Sequence, residues 1–499
     1  MKIGLKIDTD YYAPIKGTLQ RLLPKNIEIS KASQADNFAI IVNTKLKLGD
    51  GIRVTSEIIG DTLSEDKKKD VIIDKEISHD KYDKHDFKKR CRYRLKLSIY
   101  RLLCQYLELE MNPWGILTGV RPTKLGHILL DKGLSYQQID YQLKEVYGVN
   151  AEKRKLLLNI VRQERKHLPT PGEVNNKISL YIGIPFCASK CDYCSFASYP
   201  LDDYNNYLTD FLAALDYEIE ELGQIIRELN LEIDTVYIGG GTPTVLSAQE
   251  LGGVINKLKS SFEIGDLREF MVEAGRPDTI NKEKLTVLKN EGVDRISINP
   301  QTMQQTTLDR IGRNHTVEDV VKTYSLARKM KFSNINMDLI VGLPGEGKEE
   351  LKLTLEEVQD LQPDSITVHT LTLKRAAKLK QGEISLLSRS KIEELIRLTQ
   401  ETAEKIGLIP YYMYRQKSHQ ENYENIGYAK PGHESIYNIL MMEERETILA
   451  LGGGIVTKLV DSDDWSLERA INPKFPAQYI EQVEKRTERK IDKLTTLLR

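Results

Sequence analysis

The chain has 499 residues, and its 72 Lys and Arg against 73 Asp and Glu leave a net charge of −1. With 29% charged and 40% hydrophobic residues it sits in the globular range, which excludes a disordered polyelectrolyte or a collagen-like chain. No run approaches the roughly 18 apolar residues of a membrane span, and Asp8 and Asp10 interrupt the N-terminus before a signal-peptide core builds up, so a cytoplasmic protein without a membrane partner is expected. The balanced charge gives no reason to expect nucleic acid either.

In chain order, partly alternating apolar runs at 1–8, 37–47 and 52–59 predict short strands, and 85–110 reads as a helix with Leu95, Ile99, Leu102, Leu103 and Tyr106 on one face. Lys88, Lys89, Arg90, Arg92, Arg94, Lys96 and Arg101 make that helix basic, and a solvated face is the expected role. NPWGILTGVRPTKL (112–125) is a Pro/Gly loop whose Arg121 and Lys124 are candidates for a polycarboxylate. Further helix to about residue 167 and a Pro/Gly linker at 168–176 close an N-terminal α+β domain, 1–170.

From Lys177 the texture changes. Six β-type runs, at 178–186, 234–240, 269–275, 294–300, 334–342 and 364–371, are separated by helical stretches such as 203–229, 281–290, 316–330 and 348–361. Six strands alternating with helices predict an α/β fold with a parallel sheet, here a partial (β/α)6 barrel over 177–385. Its chemistry is expected at the C-terminal strand ends. After 385 the pattern is less regular, and a small C-terminal domain, 386–499, is expected.

Of five cysteines, Cys91 and Cys104 read as packing residues, whereas Cys187, Cys191 and Cys194 follow the first of the six strands in a C-x-x-x-C-x-x-C spacing. Three thiolates on one loop suit three irons of a 4Fe-4S cluster, with the fourth iron open to a small chelating molecule. Structural zinc takes four protein ligands, and the nearest downstream histidine, His315, is more than a hundred residues on. Polar residues stand at or near later strand ends: Glu273, Gln301, Asp338 and the cation Arg313, with His369 at the end of the sixth strand. Gly239, Gly240 and Gly241, followed by Thr242, end the second strand and allow close backbone approach.

The segments YIGIPFCASKCDYC, GGGTPT, EFMVEAG, RISINPQT, IGRNHT and NMDLIVGLPGE, in this order over about 178–375, resemble the radical S-adenosylmethionine (SAM) superfamily. Within it they look like the oxygen-independent coproporphyrinogen III dehydrogenase family, and the N-terminal region most resembles its HemZ-type subgroup. The resemblance implies a radical SAM core whose cluster is held by Cys187, Cys191 and Cys194. It implies SAM held by Tyr181, Tyr193, Gly240, Gly241, Thr242, Glu273, Gln301, Arg313 and Asp338, with no catalytic residue beyond cluster and cofactor. Tyr193 and Phe196, flanking Cys194, are expected to shield the cluster. The implied reaction is oxidative decarboxylation of coproporphyrinogen III propionates to the vinyl groups of protoporphyrinogen IX, in haem biosynthesis. A reduced flavodoxin- or ferredoxin-type protein would donate the electrons.

Two positions depart from the best-known dehydrogenases: Phe196 replaces a further Cys, and Gly183 the His of Y-x-H-I-P. A haem-binding chaperone on the same scaffold is the alternative. That group carries His-Asn-x-x-Tyr-Trp where this chain has Tyr437-Asn438 and Met441-Met442. Another radical SAM enzyme acting on a tetrapyrrole, or one that modifies RNA, would differ in product or in salt-sensitive RNA binding.

Overall fold

The computed structural model describes residues 1–7, 11–32, 38–49, 51–59, 69–75, 84–170, 176–372, 387–416 and 423–498. The chain divides into two compact units, Met1–Asn159 with Arg415–Asn422, and Ile160–Tyr414 with Tyr423–Arg499. Residues 171–175 of the expected linker and the expected boundary at 385/386 lie outside the described residues.

The first unit holds a five-stranded sheet. Its strands are β1 (Lys2–Ile7), β2 (Glu28–Lys31), β3 (Ile40–Leu48), β4 (Ile52–Ile59) and β5 (Lys69–Asp74), in the order β2-β1-β3-β4-β5. β4 alternates strictly at its start, burying Ile52, Val54 and Ser56, as a strand with one covered face should. The helix Lys84–Tyr106 packs on β3, β4 and β5. The expectation of a solvated basic face holds at Lys88 and Lys89, which are exposed, and fails at Arg90 and Arg94. Arg90 and Arg94 are buried, and both donate to the Asp74 carboxylate of β5, at 2.7 and 2.6 Å. Arg90 also reaches the Gln142 side chain, and Arg94 the Glu145 carbonyl. Two guanidinium groups on one face, a turn apart, are neutralised by an acid that only the folded sheet brings near. Arg121 and Lys124, half-buried, stand at the start of the helix Pro122–Asp131.

The second unit is built on one eleven-stranded sheet. Its centre is β6 (Lys177–Ile184), β9 (Glu232–Gly240), β10 (Glu269–Glu273), β11 (Arg295–Ser297), β12 (Asn334–Val341) and β13 (Ser365–Thr370), side by side in chain order and all parallel. β7 (Phe186–Cys187) and β8 (Tyr199–Pro200) form a separate two-residue ladder. The six strands do not close on themselves, so the barrel is partial, because each flank is taken by other strands. β15 (Glu424–Ala429) pairs antiparallel with β13 and is followed outward by β14 (Ile409–Arg415). β16 (Thr447–Gly452) pairs parallel with β6, and β17 (Val456–Val460) and β18 (Leu467–Ile471) continue from it.

This corrects the expectation of a separate C-terminal domain over 386–499. Every residue of β16 is buried, as in a strand covered on both faces inside a parallel sheet. The last helix, Pro476–Leu498, packs on Leu208–Glu228, where Lys490 bonds the fully buried Glu218 at 2.6 Å. Tyr479 and Asn472 also donate to Glu218, at 2.7 and 3.1 Å, so the buried charge is fully partnered.

Candidate functional site

The cysteine loop starts from β7 and is clamped at its base by the ladder Phe186↔Tyr199 and Cys187↔Pro200. The Asp192 N–H donates to the Ile311 carbonyl at 3.0 Å, and the Cys194 N–H to the Cys191 carbonyl at 3.0 Å. Cys187 and Cys191 are buried and Cys194 half-buried. Ser198 donates to the Cys187 sulfur at 2.9 Å, and the Thr242 hydroxyl lies 3.4 Å from it. Burial pushes the Cys187 thiol up, and burial with the neighbouring sulfurs pushes Cys194 to about 11. Such thiols bind a metal only with loss of their protons.

Three cysteines on one loop match a cubane, which takes one sulfur per iron, whereas structural zinc takes four protein ligands.

Glycine at the end of β9 is forced by neighbours. Gly240 has φ +111°, and a Cβ on Gly241 would lie 2.3 Å from the Phe186 carbonyl oxygen and 3.0 Å from the Cys187 sulfur. The N–H groups of Gly241 and Thr242 donate to Ile184 and Phe186, each at 2.7 Å. Those amides therefore hold the cysteine strand, and an incoming ammonium group, a donor only, needs a carbonyl or carboxylate as its acceptor. Glu273, at the end of β10, is one such acceptor. A Cβ on Gly239 would sit 2.9 Å from its carboxylate. Tyr237 donates to Glu273 at 2.5 Å. Burial raises the Glu273 carboxyl to about 7, with Asp338 adding repulsion against the bonds from Tyr237 and Gly240.

Gln301 has φ +69° and bridges to β12, donating to the Asp338 carbonyl and accepting from the Ile340 N–H, both at 2.9 Å. Its side-chain oxygen is buried with no partner among the described residues. Asp338 lies in the middle of β12 rather than at its end. It accepts from Asn336 at 2.8 Å and stands 3.8 Å from the Nε2 of His369, whose Nδ1 is 3.2 Å from the Tyr414 hydroxyl.

Arg313, 4% exposed, ties the segments after β10 and β11 together, donating to the carbonyls of Gly275 and Asn299, at 3.0 and 2.7 Å, and to the Tyr193 hydroxyl at 3.1 Å. Only its Nε is without a partner among the described residues. Tyr193 packs on Ile311, Ile340, Leu343 and Leu371. Phe196 is 71% exposed, so in this conformation it does not shelter the cysteines as expected.

Tyr181 lies in a stack of three tyrosines, its ring 5.9 Å from Tyr437 and 5.6 Å from Tyr237, which are 4.5 Å from each other. At Gly183 a side chain would meet Ile455 at 2.4 Å and the Gly453 carbonyl at 3.0 Å. The turn after β16 thus occupies the space a histidine would need.

One residue was missed entirely. Arg276, 3% exposed, donates to the Ser189 carbonyl at 3.0 Å and reaches the Cys191 sulfur at 3.8 Å. The available signal was an Arg-Pro-Asp triplet just past a strand-end acid.

A radical SAM superfamily model matches residues 181–358. The chain is 43% identical over 381 residues to the oxygen-independent coproporphyrinogen-III oxidase-like protein HemZ of Bacillus subtilis, which covers 76% of each chain. The chain belongs to this HemZ-like family of radical SAM proteins. It is also 32% identical over 271 residues to the heme chaperone HemW of Bacillus subtilis, covering 52% of this chain and 66% of that one. Coproporphyrinogen III oxidase HemN from Escherichia coli, described as a radical SAM enzyme, shares the fold, with a TM-score of 0.50 at 22% identity over 63% of this chain and 70% of that one.

Radical SAM proteins use a 4Fe-4S cluster and S-adenosylmethionine, and the family's site chemistry fits what the fold gathers here. Three cysteines on the loop after the first of the six strands suit the cluster. A buried carboxylate and a buried amide oxygen without a partner suit a ligand that brings its own donors.

Proposed function

We propose that the protein is an oxygen-independent coproporphyrinogen III dehydrogenase. What supports this reading is that Glu273 on β10, Gln301 just past β11 and Asp338 on β12 belong to neighbouring parallel strands of the sheet whose strand β6 leads into the three-cysteine loop, in a chain 43% identical to HemZ. Bound together, cluster and cofactor would supply a carbon-centred radical that takes a propionate β-hydrogen atom, and overall each reacting propionate would become a vinyl group with loss of CO2 and of one further electron to an external one-electron acceptor.

The chain's own residues bind, orient and exclude water. Cys187, Cys191 and Cys194 would hold the cluster, and Thr242 and Ser198 bond to the first sulfur. Glu273, about half ionised alone near pH 7, becomes a full acceptor when the methionine ammonium arrives, with Tyr237 fixing its orientation. Asp338, held by Asn336, would accept from ribose hydroxyls, and Gln301 offers its open oxygen. Gly240 and Gly241 let the end of β9 lie close against the cysteine strand, and Tyr193 with Arg313 braces the loop. Tyr181 and its two stacked partners supply a flat apolar surface that keeps water away.

A reduced flavodoxin- or ferredoxin-type donor and a cytoplasmic setting belong to the same proposal. Among the described residues no helix is long and apolar enough to cross a membrane. The chaperone reading is the weaker one. Tyr437, which stands where that group carries its histidine, is 5% exposed and packed against Tyr181 and Tyr237, and burial holds its phenol well above the usual value.

Anaerobic incubation with coproporphyrinogen III, SAM and dithionite, followed by mass analysis, tests the proposal. A product lacking two CO2, with cleaved SAM, is expected. Uncleaved SAM with tight haem binding would overturn it.

A further inference from the structure

Arg276 lies in the loop after β10, and its guanidinium divides its donors between two partners. Nε and Nη2 grip the Asp278 carboxylate as a fork, at 3.0 and 2.6 Å. Nη1 turns to the cysteine loop, donating to the Ser189 carbonyl at 3.0 Å, to the Ser189 hydroxyl at 2.8 Å, and reaching the Cys191 sulfur at 3.8 Å. An arginine cannot lose its proton, and a fork of this kind fixes its plane.

The surroundings leave the cation in excess. Arg313 touches the same loop at Tyr193. Asp278 is the acid that both arginines act on. His315, 2% exposed and with neither ring nitrogen partnered among the described residues, is kept neutral, since burial and the two arginines lower it to about 4. Two fixed guanidinium charges and the Asp278 carboxylate therefore face the three-cysteine loop, whose own charged residues, Lys190 and Asp192, are opposite in sign. A cluster's reduction potential responds to nearby charge and to hydrogen bonds at its sulfurs. A cation beside a ligand sulfur stabilises the form with one more electron.

We infer that Arg276 is a built-in counter-cation of the cluster loop that raises the cluster's reduction potential, with Asp278 orienting it and moderating its charge. Arg276 acts through the cluster's surroundings and is a positioning residue. The inference rests on the assignment of Cys187, Cys191 and Cys194 as cluster ligands.

The test is an EPR-monitored dithionite titration of the full-length, anaerobically reconstituted protein, without SAM or substrate. The midpoint potential is expected to shift negative in Arg276→Gln and positive in Asp278→Asn. Ser189→Ala, which removes an anchor but no charge, is expected to stay at the wild-type value. Arg276→Gln with full iron and sulfide at the wild-type potential would overturn the inference. If only Arg276→Gln loses its cluster, Asp278→Asn decides by the sign of its shift, and no positive shift overturns the idea. Loss of the cluster in both variants would assign the pair to holding the loop, and overturns it as well. No cluster in the wild-type protein would instead take down the cysteine assignment.

Discussion

Two clusters, one in each unit, use buried polar groups in opposite ways. In the first unit Asp74, 2% exposed, takes hydrogen bonds from both Arg90 and Arg94, and those arginines reach further acceptors beyond it. In the second unit Gln301, Arg313 and His315 are buried as well, yet the Gln301 oxygen, the Arg313 Nε and both His315 nitrogens have no partner among the described residues. Leaving one such group unmade costs about 1–3 kcal/mol. The first cluster is an internal brace, complete by itself. The second keeps open polar atoms, as the proposed cofactor site requires, whereas Arg90 and Arg94 of the basic helix are structural.

The largest effect expected from breaking the second cluster is total. Alanine at Cys187, Cys191 or Cys194 should abolish the brown chromophore and reductive SAM cleavage, read by iron and sulfide analysis and by 5′-deoxyadenosine formation, with little change in circular dichroism. Breaking the first cluster should act on stability alone. Asp74→Asn leaves two buried guanidinium groups without their counter-charge and should cost about 3–5 kcal/mol in denaturant unfolding, with cluster content unchanged. Burial alone would raise the Asp74 carboxyl, but the bonds and charges of Arg90 and Arg94 outweigh it and hold it below its usual value. Its stabilisation is therefore complete above about pH 4 and is lost as the pH falls further.

These two outcomes also mark how much the sequence disclosed. The six central strands were legible because each is a short apolar run set between helical stretches. The cysteine spacing was legible because ligands of one cluster share a loop. Asp74 gave no such signal, since its partners lie 16 and 20 residues away on another element. β16 belongs beside β6, but Thr447 meets Ile178 across more than 250 residues, and no local pattern encodes that. Arg276 reads as an ordinary loop cation until the fold turns its Nη1 toward Ser189 and Cys191.

A smaller effect sharpens the contrast at Glu273. Glu273→Gln should weaken SAM binding about 10- to 100-fold in calorimetry, the worth of a charge-assisted hydrogen bond. The same change should raise the melting temperature of the ligand-free protein above pH 7. Folding lifts this carboxyl to about 7, so its ionisation destabilises the fold as pH rises from about 4 through 7, and Gln removes that penalty. An equal loss of stability and binding would make Glu273 a brace like Asp74.

The smallest effect is at Gln301, whose φ of +69° favours glycine. Gln301→Gly should change stability by less than about 1 kcal/mol. It should weaken SAM about two- to ten-fold, one neutral hydrogen bond's worth.

The most direct measurement is the EPR spectrum of the reduced, reconstituted protein before and after SAM is added. Three sulfur ligands leave one iron to be filled by the cofactor, so the spectrum should change on addition, and Glu273→Gln should require more SAM to reach the same change. An unchanged spectrum at saturating SAM, or zinc in place of iron in protein prepared without oxygen, would contradict the account.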